Sequence, residues 1–210
     1  MNNLLKNKKY LIFDDILSKK ECDDIEKKIF FDGLPWYINE SIDNKGNFIT
    51  SSLNETNKKW LKNKNVVDKG HLYHTFLFRK NFLLKNELVN NSDYSPLVEN
   101  LLKTFEKKIN KKFNILRIKT NLIFESKDYT KKTFGIPHID SFENHYVLIY
   151  YVNACDGNTF LFNKKEKIIK QILPKKGRFL FFKGKTLHAN GHPVKSNFRC
   201  VINFNISIND

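Results

Sequence analysis

The sequence predicts an α+β fold that is mainly β, in which a β-sandwich or barrel is buttressed on one face by helices. Short apolar or alternating segments separated by turns fill the second half of the chain, which is typical of all-β sandwiches and barrels. Two amphipathic segments precede them, and each can cover one face of a sheet. Because 210 residues fit one domain, we predict a single domain over residues 1–210, with helices and loops in residues 1–112 and the β core in residues 113–210.

The helices are predicted from their first turns. Ser18 and Glu21 have the spacing of a capping box, which predicts a helix over residues 19–30, after a short strand at residues 10–13. Ser95 and Pro96 predict a second helix with a serine cap and a proline in its first turn. Its apolar stripe comprises Leu97, Leu101, Phe105 and Ile109, and it ends in the basic run at residues 107–112.

The period of the apolar residues then changes from 3.6 to 2. Strands are predicted at residues 115–124, 146–152, 159–162, 168–173, 178–182 and 198–208. Residues 32–69 are rich in Gly, Asn, Ser and Lys, with turn signals at residues 33–37 and 43–46, so they are predicted to be loops with one hairpin. Long loops of this kind often form lids or substrate walls.

The chain is strongly basic, with 37 Lys and Arg against 22 Asp and Glu and a formal charge of +15. Such an excess raises the hypothesis of a nucleic-acid partner. Only four of the basic residues are arginines, however, and the lysines are dispersed among many asparagines. A solvated lysine face is therefore favoured over a nucleic-acid surface.

Composition also bears on the cellular location. No segment approaches the roughly 20 apolar residues of a membrane span, and the polar N-terminus has no signal-peptide pattern. The three cysteines are an odd number without CxxC spacing, so we expect them to be reduced and buried. We expect a cytoplasmic protein with no membrane partner.

Three side chains in the last third of the chain have the composition of a metal site. His138 and Asp140 are two residues apart, so in an extended chain both point to the same side. His188 follows a predicted strand and a turn, which would bring it to the same end of the barrel. Two imidazoles and one carboxylate leave coordination positions open, as in non-haem Fe(II) oxygenases, whereas zinc more often recruits a fourth ligand. His192 is a competing ligand, and His188 is preferred because it directly follows the strand and turn.

Arg199 begins the last predicted strand, in a segment that is otherwise apolar or contains asparagine. It could be a surface arginine that closes a salt bridge. An inward guanidinium could instead pair bidentately with a carboxylate held inside the barrel, and this interpretation is favoured.

Several stretches of the second half form a family-like pattern. They are residues 137–140 (PHID), 149–153 (IYYVN), 156–159 (DGNT) and 174–182, followed by Leu187-His188, Pro193-Val194 and Arg199. Together they resemble the 2-oxoglutarate and Fe(II)-dependent dioxygenases, in particular the small prolyl-4-hydroxylase-like members of phages and microbes. The resemblance covers about residues 116 to 208 and, more loosely, residues 14–22.

The resemblance implies a double-stranded β-helix, or jelly-roll, as the catalytic core in residues 113–210, with helical support and substrate loops in residues 1–112. It also implies roles for particular residues. Those implied to ligate Fe(II) are His138, Asp140 and His188, and the one implied to bind the distal carboxylate of 2-oxoglutarate is Arg199. Tyr151 matches a position that places a hydroxyl on the same carboxylate, and Asn121 is a weaker candidate for contacting the cosubstrate.

The implied activity is hydroxylation of a substrate C–H bond with O₂, with succinate and CO₂ released from 2-oxoglutarate and ascorbate as a further candidate cofactor. A peptidyl, prolyl-like substrate is favoured by the subfamily, and a small-molecule substrate stays open. One alternative is a nucleobase-oxidising dioxygenase of the same superfamily, with the lysine-rich surface holding nucleic acid. The other is a non-catalytic β-sandwich that binds a metal or ligand, against which the complete ligand set with Arg199 argues.

Overall fold

The computed structural model describes residues 5, 8–39, 59–67, 69–80 and 87–208. Its first elements are strand β1 (Tyr10–Phe13), helix α1 (Lys19–Phe30), strands β2 (Tyr37–Asn39), β3 (His71–Phe78) and β4 (Val89–Asn90), and helix α2 (Ser95–Ile109). The remaining strands are β5 (Phe113–Phe124), β6 (Tyr146–Tyr151), β7 (Thr159–Phe162), β8 (Ile168–Ile172), β9 (Phe179–Lys183), β10 (His188–Asn190) and β11 (Phe198–Ile208).

The strands form two sheets. Eight antiparallel strands make the large sheet, in the order β1-β9-β6-β11-β5-β3-β2 with β4 paired to β3. A small sheet has the order β10-β7-β8. The predicted α+β, mainly β architecture is confirmed, since two β-sheets dominate the described chain and the helices pack against one of them.

The two faces of the large sheet have different roles. On β11, even-numbered residues such as Ile202 and Phe204 pack with α1 and α2 in the largest apolar cluster. We call this the helix-side face. The other, inner face carries a smaller apolar cluster, in which Tyr151 of β6 and Val201 of β11 pack with Leu161 of the small sheet. The alternation of side chains along a strand therefore places the inner-face residues of β11 between the two sheets.

The predicted starts of both helices agree with the structure, and α2 has Pro96 in its first turn. Ser18 and Glu21 form the capping box, with the Ser18 backbone N–H donating to Glu21 Oε2 at 2.7 Å. The predicted serine cap of α2 is wrong, because Tyr94 is the N-cap residue and makes no side-chain cap. The Ser95 hydroxyl instead lies 2.7 Å from Asn90 Oδ1. The helix also ends at Ile109, before the basic run is complete.

Three strands near the site are not predicted by the sequence pattern. A bulge between Thr75 and Leu77 interrupts the alternation of β3, and β10 has only three residues. β2 lies in the segment that is predicted as loops and pairs with β3. Residues 40–58 of that segment, which include the turn signal at 43–46, lie outside the described residues. Among the helices that the structure describes, none is long and apolar enough to cross a membrane.

Phe105 joins α2 to the sheet and should dominate local stability. Its side chain is fully buried, and its ring lies 5.0 Å from that of Phe179 and 5.2 Å from that of Phe13. Phe105→Ala should lower the free energy of unfolding by about 3–5 kcal/mol, because it leaves a cavity in the core. Urea denaturation measures this, with Phe31→Ala as the control, since Phe31 is 78% exposed. Equal losses in both variants would contradict the assignment of the core.

Candidate metal centre

His138, Asp140 and His188 come together where the segment between β5 and β6 meets the start of β10. His138 and His188 face each other in an antiparallel bridge, in which each backbone N–H donates to the other residue's carbonyl at 2.9 and 3.0 Å. One potential ligand atom from each of the three side chains lies within 4.8 Å of the other two. Within the described part of the chain, this is the one group of His, Cys, Asp or Glu with that geometry.

Both imidazoles are held in the tautomer that a metal requires. His138 Nδ1 lies 2.9 Å from the Ile136 carbonyl oxygen, and His188 Nδ1 lies 3.0 Å from that of Thr186. Since a carbonyl only accepts hydrogen bonds, each Nδ1 carries the proton and each Nε2 keeps its lone pair for a ligand. Burial lowers the pKa of His188 to about 4, against the opposing effect of Asp140, so its ring is neutral at neutral pH.

Asp140 is only 5% exposed and is held by its neighbours as a carboxylate. Its Oδ2 accepts hydrogen bonds from Asn203 at 3.1 Å and Asn205 at 2.8 Å, and its Oδ1 lies 3.4 Å from Arg117 Nη2. Burial alone would raise the pKa of Asp140, but His188 and Arg117 are among the groups that hold it well below its usual range. The anionic form needed for metal binding is therefore present at neutral pH.

This donor set fits divalent iron. Two neutral imidazole nitrogens and one carboxylate on one side of an ion are the ligands of the non-haem Fe(II) site, which leaves the other positions free. The side chain of His138 is 25% exposed, against 6% for His188 and 3% for Asp140. The accessible side of the centre therefore lies next to His138.

A second polar site surrounds Arg199, which is 3% exposed. Its Nε donates to the Gly157 carbonyl at 3.0 Å, and its Nη2 donates to Thr159 Oγ1 at 2.9 Å. The Tyr151 hydroxyl donates to the same Thr159 oxygen at 2.7 Å. Both lone pairs of that oxygen are then used, so the Thr159 proton is free to bond a further acceptor. No carboxylate of the described residues pairs with Arg199.

The two sites share one strand. Arg199, Val201 and Asn203 alternate onto the inner face of β11, and Asn203 bonds Asp140. Asn203 lies four residue steps along the extended strand from Arg199, which corresponds to about 13 Å between their Cα atoms. The guanidinium and the metal centre therefore lie along the same side of the same strand, with the inner-face position of Val201 between them.

Two further residues from the sequence analysis have different surroundings. Asn121 lies on β5 opposite Val201, and its Oδ1 is buried without a hydrogen-bond partner among the described residues. His192 is not part of the metal group, since its ring stacks on Tyr129 with 3.9 Å between centroids. The structure therefore places His188 in the metal group and His192 outside it, although the sequence leaves both as candidate ligands.

The sequence analysis missed four residues of these sites. They are Thr159 beside Arg199, and Arg117, Asn203 and Asn205 around Asp140. The signal that could have found the asparagines is their spacing. They lie four and six residues after Arg199 in an otherwise apolar strand, and so on the same face as that arginine.

Comparison with known proteins identifies the fold. A protein of the 2OG-Fe(II) oxygenase family from Burkholderia pseudomallei superposes with a TM-score of 0.64 at 13% identity, covering 97% of this chain and 87% of that one. The viral collagen prolyl hydroxylase of Paramecium bursaria Chlorella virus-1, in its 2OG complex, gives 0.53 at 18% identity, with coverage of 97% and 98%. A prolyl hydroxylase from Trichoplax adhaerens, in complex with a hypoxia inducible factor peptide fragment, gives 0.58 at 12% identity, with coverage of 97% and 86%.

No protein-family model matches the sequence, and no curated protein matches it either. The likeness is therefore one of structure. The predicted jelly-roll core with its helical buttress is confirmed, and the chain has the fold of the 2-oxoglutarate and Fe(II)-dependent oxygenases.

The two competing histidines can be separated by metal affinity. His188→Phe should lower the affinity for Mn(II) by more than about 100-fold, beyond the 10- to 100-fold effect typical of outer-sphere partners. His192→Phe keeps a ring on Tyr129 and should leave the affinity within about threefold, since its nitrogens lie outside the metal group. Anaerobic calorimetric titration measures both. Loss of affinity in the His192 variant alone would reverse the assignment.

Proposed function

We propose that this protein is a non-haem Fe(II)- and 2-oxoglutarate-dependent dioxygenase that hydroxylates a C–H bond of its substrate. The observation that carries the proposal is a buried Arg199 with no described carboxylate partner, on the same strand face as an asparagine that holds Asp140. A buried cation without a counter-ion is costly, and a bound dicarboxylate would supply one. The neighbouring His138, Asp140 and His188 would hold the iron.

The chain's own residues would bind and orient. When bound, Fe(II) and 2-oxoglutarate supply the oxidising chemistry, with O₂ as oxidant and succinate and CO₂ as co-products. Arg199 would hold the distal carboxylate of 2-oxoglutarate through the guanidinium donors that it does not use for Gly157 and Thr159. The free proton of Thr159 would add a donor, and Asn121 has unused hydrogen-bonding capacity on the same face.

Tyr151 would act on the same carboxylate by setting the Thr159 hydroxyl. Burial raises the pKa of Tyr151 to about 12, so its hydroxyl stays protonated and remains a donor. The donation to Thr159 Oγ1 directs the threonine proton away from Tyr151. A protonated tyrosine beside a guanidinium also adds no negative charge that would compete with the cosubstrate.

For the substrate, we propose a peptidyl, prolyl-like group. Its support is that two proteins with this fold are prolyl hydroxylases, one of them in complex with a peptide fragment. The nucleobase alternative has less support, because lysines such as Lys59, Lys112 and Lys176 pair with carboxylates of the same chain. Ascorbate as a cofactor and a cytoplasmic location stay predictions.

Arg199 provides the direct test of cosubstrate binding. Arg199→Ala should raise the KM for 2-oxoglutarate at least about 100-fold, because charge-assisted hydrogen bonds to the carboxylate are lost. The measurement is succinate formation by anaerobically purified, Fe(II)-loaded protein with pooled peptides, together with calorimetric binding of 2-oxoglutarate to the Mn(II) form. Arg178→Ala is the control, since Arg178 pairs with Asp14. If the Mn(II) form of the unmodified protein does not bind 2-oxoglutarate, the non-catalytic alternative replaces the proposal.

The contribution of Tyr151 should be smaller. Tyr151→Phe removes one neutral hydrogen bond and should raise the KM for 2-oxoglutarate by roughly 2- to 10-fold. Tyr150→Phe is the matched control, because the neighbouring Tyr150 packs in the helix-side cluster. Equal KM values for the two variants would indicate that Tyr151 is only a packing residue.

A further inference from the structure

The inner face of the large sheet continues past the metal centre and becomes polar there. The apolar cluster between the sheets draws on β9, β6 and β11 and includes no described residue of β5, β3 or β2. On those strands, alternation and register place on the inner face Arg117, Lys119, Asn121, His71, Tyr73 and Thr75. We call these six residues the polar face. It joins the metal centre directly, since Arg117 Nη2 lies 3.4 Å from Asp140 Oδ1.

Lys119 is the cation of the polar face that lacks a counter-ion. Its cross-strand neighbours are Asn203 on β11 and Thr75 on β3, and neither is acidic. The nearby carboxylate of Asp140 already pairs with Arg117 and accepts hydrogen bonds from two asparagines. No carboxylate among the described residues lies within ion-pair distance of Lys119. Its ammonium is therefore unpaired within that part of the chain.

The charges around the centre show what would complement this ammonium. Two cations, Arg117 and Lys119, stand beside one carboxylate, Asp140. With Arg199 holding one carboxylate of a dianionic 2-oxoglutarate, the other carboxylate and Asp140 would balance a divalent iron. An excess of positive charge would then be left on the polar face, next to the place where a substrate must bring its C–H bond. Complementary charge at a binding surface selects partners and suppresses the wrong ones.

We propose that Lys119 is a specificity-determining residue that binds a carboxylate of the substrate on the polar face, a proposal that rests on the proposed function. The carboxylate comes either from a free amino acid or from an acidic side chain of a peptide beside the reacting residue. Tyr73 offers an aromatic wall for the apolar part of such a substrate, together with the ring of Tyr37 at 5.9 Å.

The surroundings of Lys119 are consistent with this role. Burial, together with Arg117, lowers the pKa of Lys119 to about 8, although Asp140 acts in the opposite direction. The ammonium is thus poorly solvated and gains from an arriving anion. Lys119 is only partly buried and its face extends through β3 to β2, whereas Arg199 is 3% exposed. Carboxylate-bearing substrates of different sizes can therefore reach Lys119, whereas they cannot reach the buried Arg199.

The test compares carboxylates with their amides in the Fe(II)- and 2-oxoglutarate-loaded enzyme. One arm uses free L-amino acids and their amides. The other uses N-acetylated, C-amidated proline-containing peptides in which the single acidic residue, Asp or Glu, is exchanged for Asn or Gln. Substrate-dependent succinate and calorimetric binding to the Mn(II)- and 2-oxoglutarate-loaded form are both measured. We expect one arm to show a preference for the carboxylate of at least about 10-fold, and the arm that does identifies its source.

Variants assign the preference to Lys119. Lys119→Gln should raise the KM for the preferred carboxylate roughly 10- to 100-fold and remove its advantage over the amide, while the KM for 2-oxoglutarate changes less than about threefold. Lys119→Arg should keep the preference because it keeps the charge. Lys170→Gln, which makes the same change on the exposed strand β8, should alter neither KM.

Several outcomes would overturn the proposal while leaving the 2-oxoglutarate-dependent dioxygenase activity intact. They are equal use or equal binding of carboxylates and amides, stimulation by oligonucleotides alone, and a Lys119→Gln variant whose main defect is in the KM for 2-oxoglutarate. The last result would make Lys119 a cosubstrate ligand. Failure of the proposed function looks different, since 2-oxoglutarate would then not bind to the Mn(II) form at all.

Discussion

The rest of the site depends on keeping the Asp140 carboxylate ionised in a place where it is 5% exposed. A buried charge of this kind costs several kcal/mol unless hydrogen bonds and opposite charge compensate it. The compensation comes from Asn203 and Asn205 on β11 and from Arg117 on β5, and Arg117 also donates to Asn205 at 3.0 Å. Arg117 and Asn205 stand directly opposite each other in the pairing of β5 with β11, and the register shifts immediately after Asn205. A slip of one residue would turn all three groups away from Asp140, so the metal centre and the central strand pair require the same register.

The central strands divide their two faces between stability and chemistry. Toward the helices, residues such as Ile202 and Phe204 are fully buried in the largest apolar cluster, which keeps the backbone of β11 in place. Toward the small sheet, the same strand carries Arg199, Val201, Asn203 and Asn205. Because the core fixes the backbone of such a strand, it also fixes the positions of the side chains on the inner face. A metal site with open coordination positions needs its few ligands held in fixed positions. The cost is a row of polar groups at the inner face. Hydrogen bonds with Asp140, Gly157 and Thr159 satisfy part of that row, while Asn203 Oδ1 has no hydrogen-bond partner among the described residues.

Much of the fold could be predicted from the sequence, because capping and periodicity are local signals. The capping box of α1 and six of the seven strands from β5 to β11 follow from spacing alone. β3 could not be predicted, since a bulge breaks its alternation, and the Ser95 cap failed because a hydrogen bond to Asn90 competes for the hydroxyl. For the site, the two-residue spacing of His138 and Asp140 was sufficient to place them together. The roles of residues such as Thr159 and Lys119 depend on which strands become neighbours, and a single sequence does not contain that information.

Arg199 and Lys119 differ in rigidity, which would suit one to the carboxylate of the cosubstrate and the other to the carboxylate of the substrate. Arg199 is fixed by the Gly157 carbonyl and by Thr159. A Cβ added to Gly157 would lie 2.9 Å from the Gly191 carbonyl oxygen and 3.1 Å from Arg199 Cδ, so the backbone contact requires glycine here. A guanidinium that is already oriented loses little freedom when a carboxylate binds, which suits a cosubstrate that is the same in every turnover. Lys119 has a flexible stem and no anchoring bond among the described residues, so its ammonium can follow carboxylates at different positions. The preorganised guanidinium of Arg199 would therefore select one cosubstrate. The flexible ammonium of Lys119 would allow the substrate to bind with its carboxylate in more than one position.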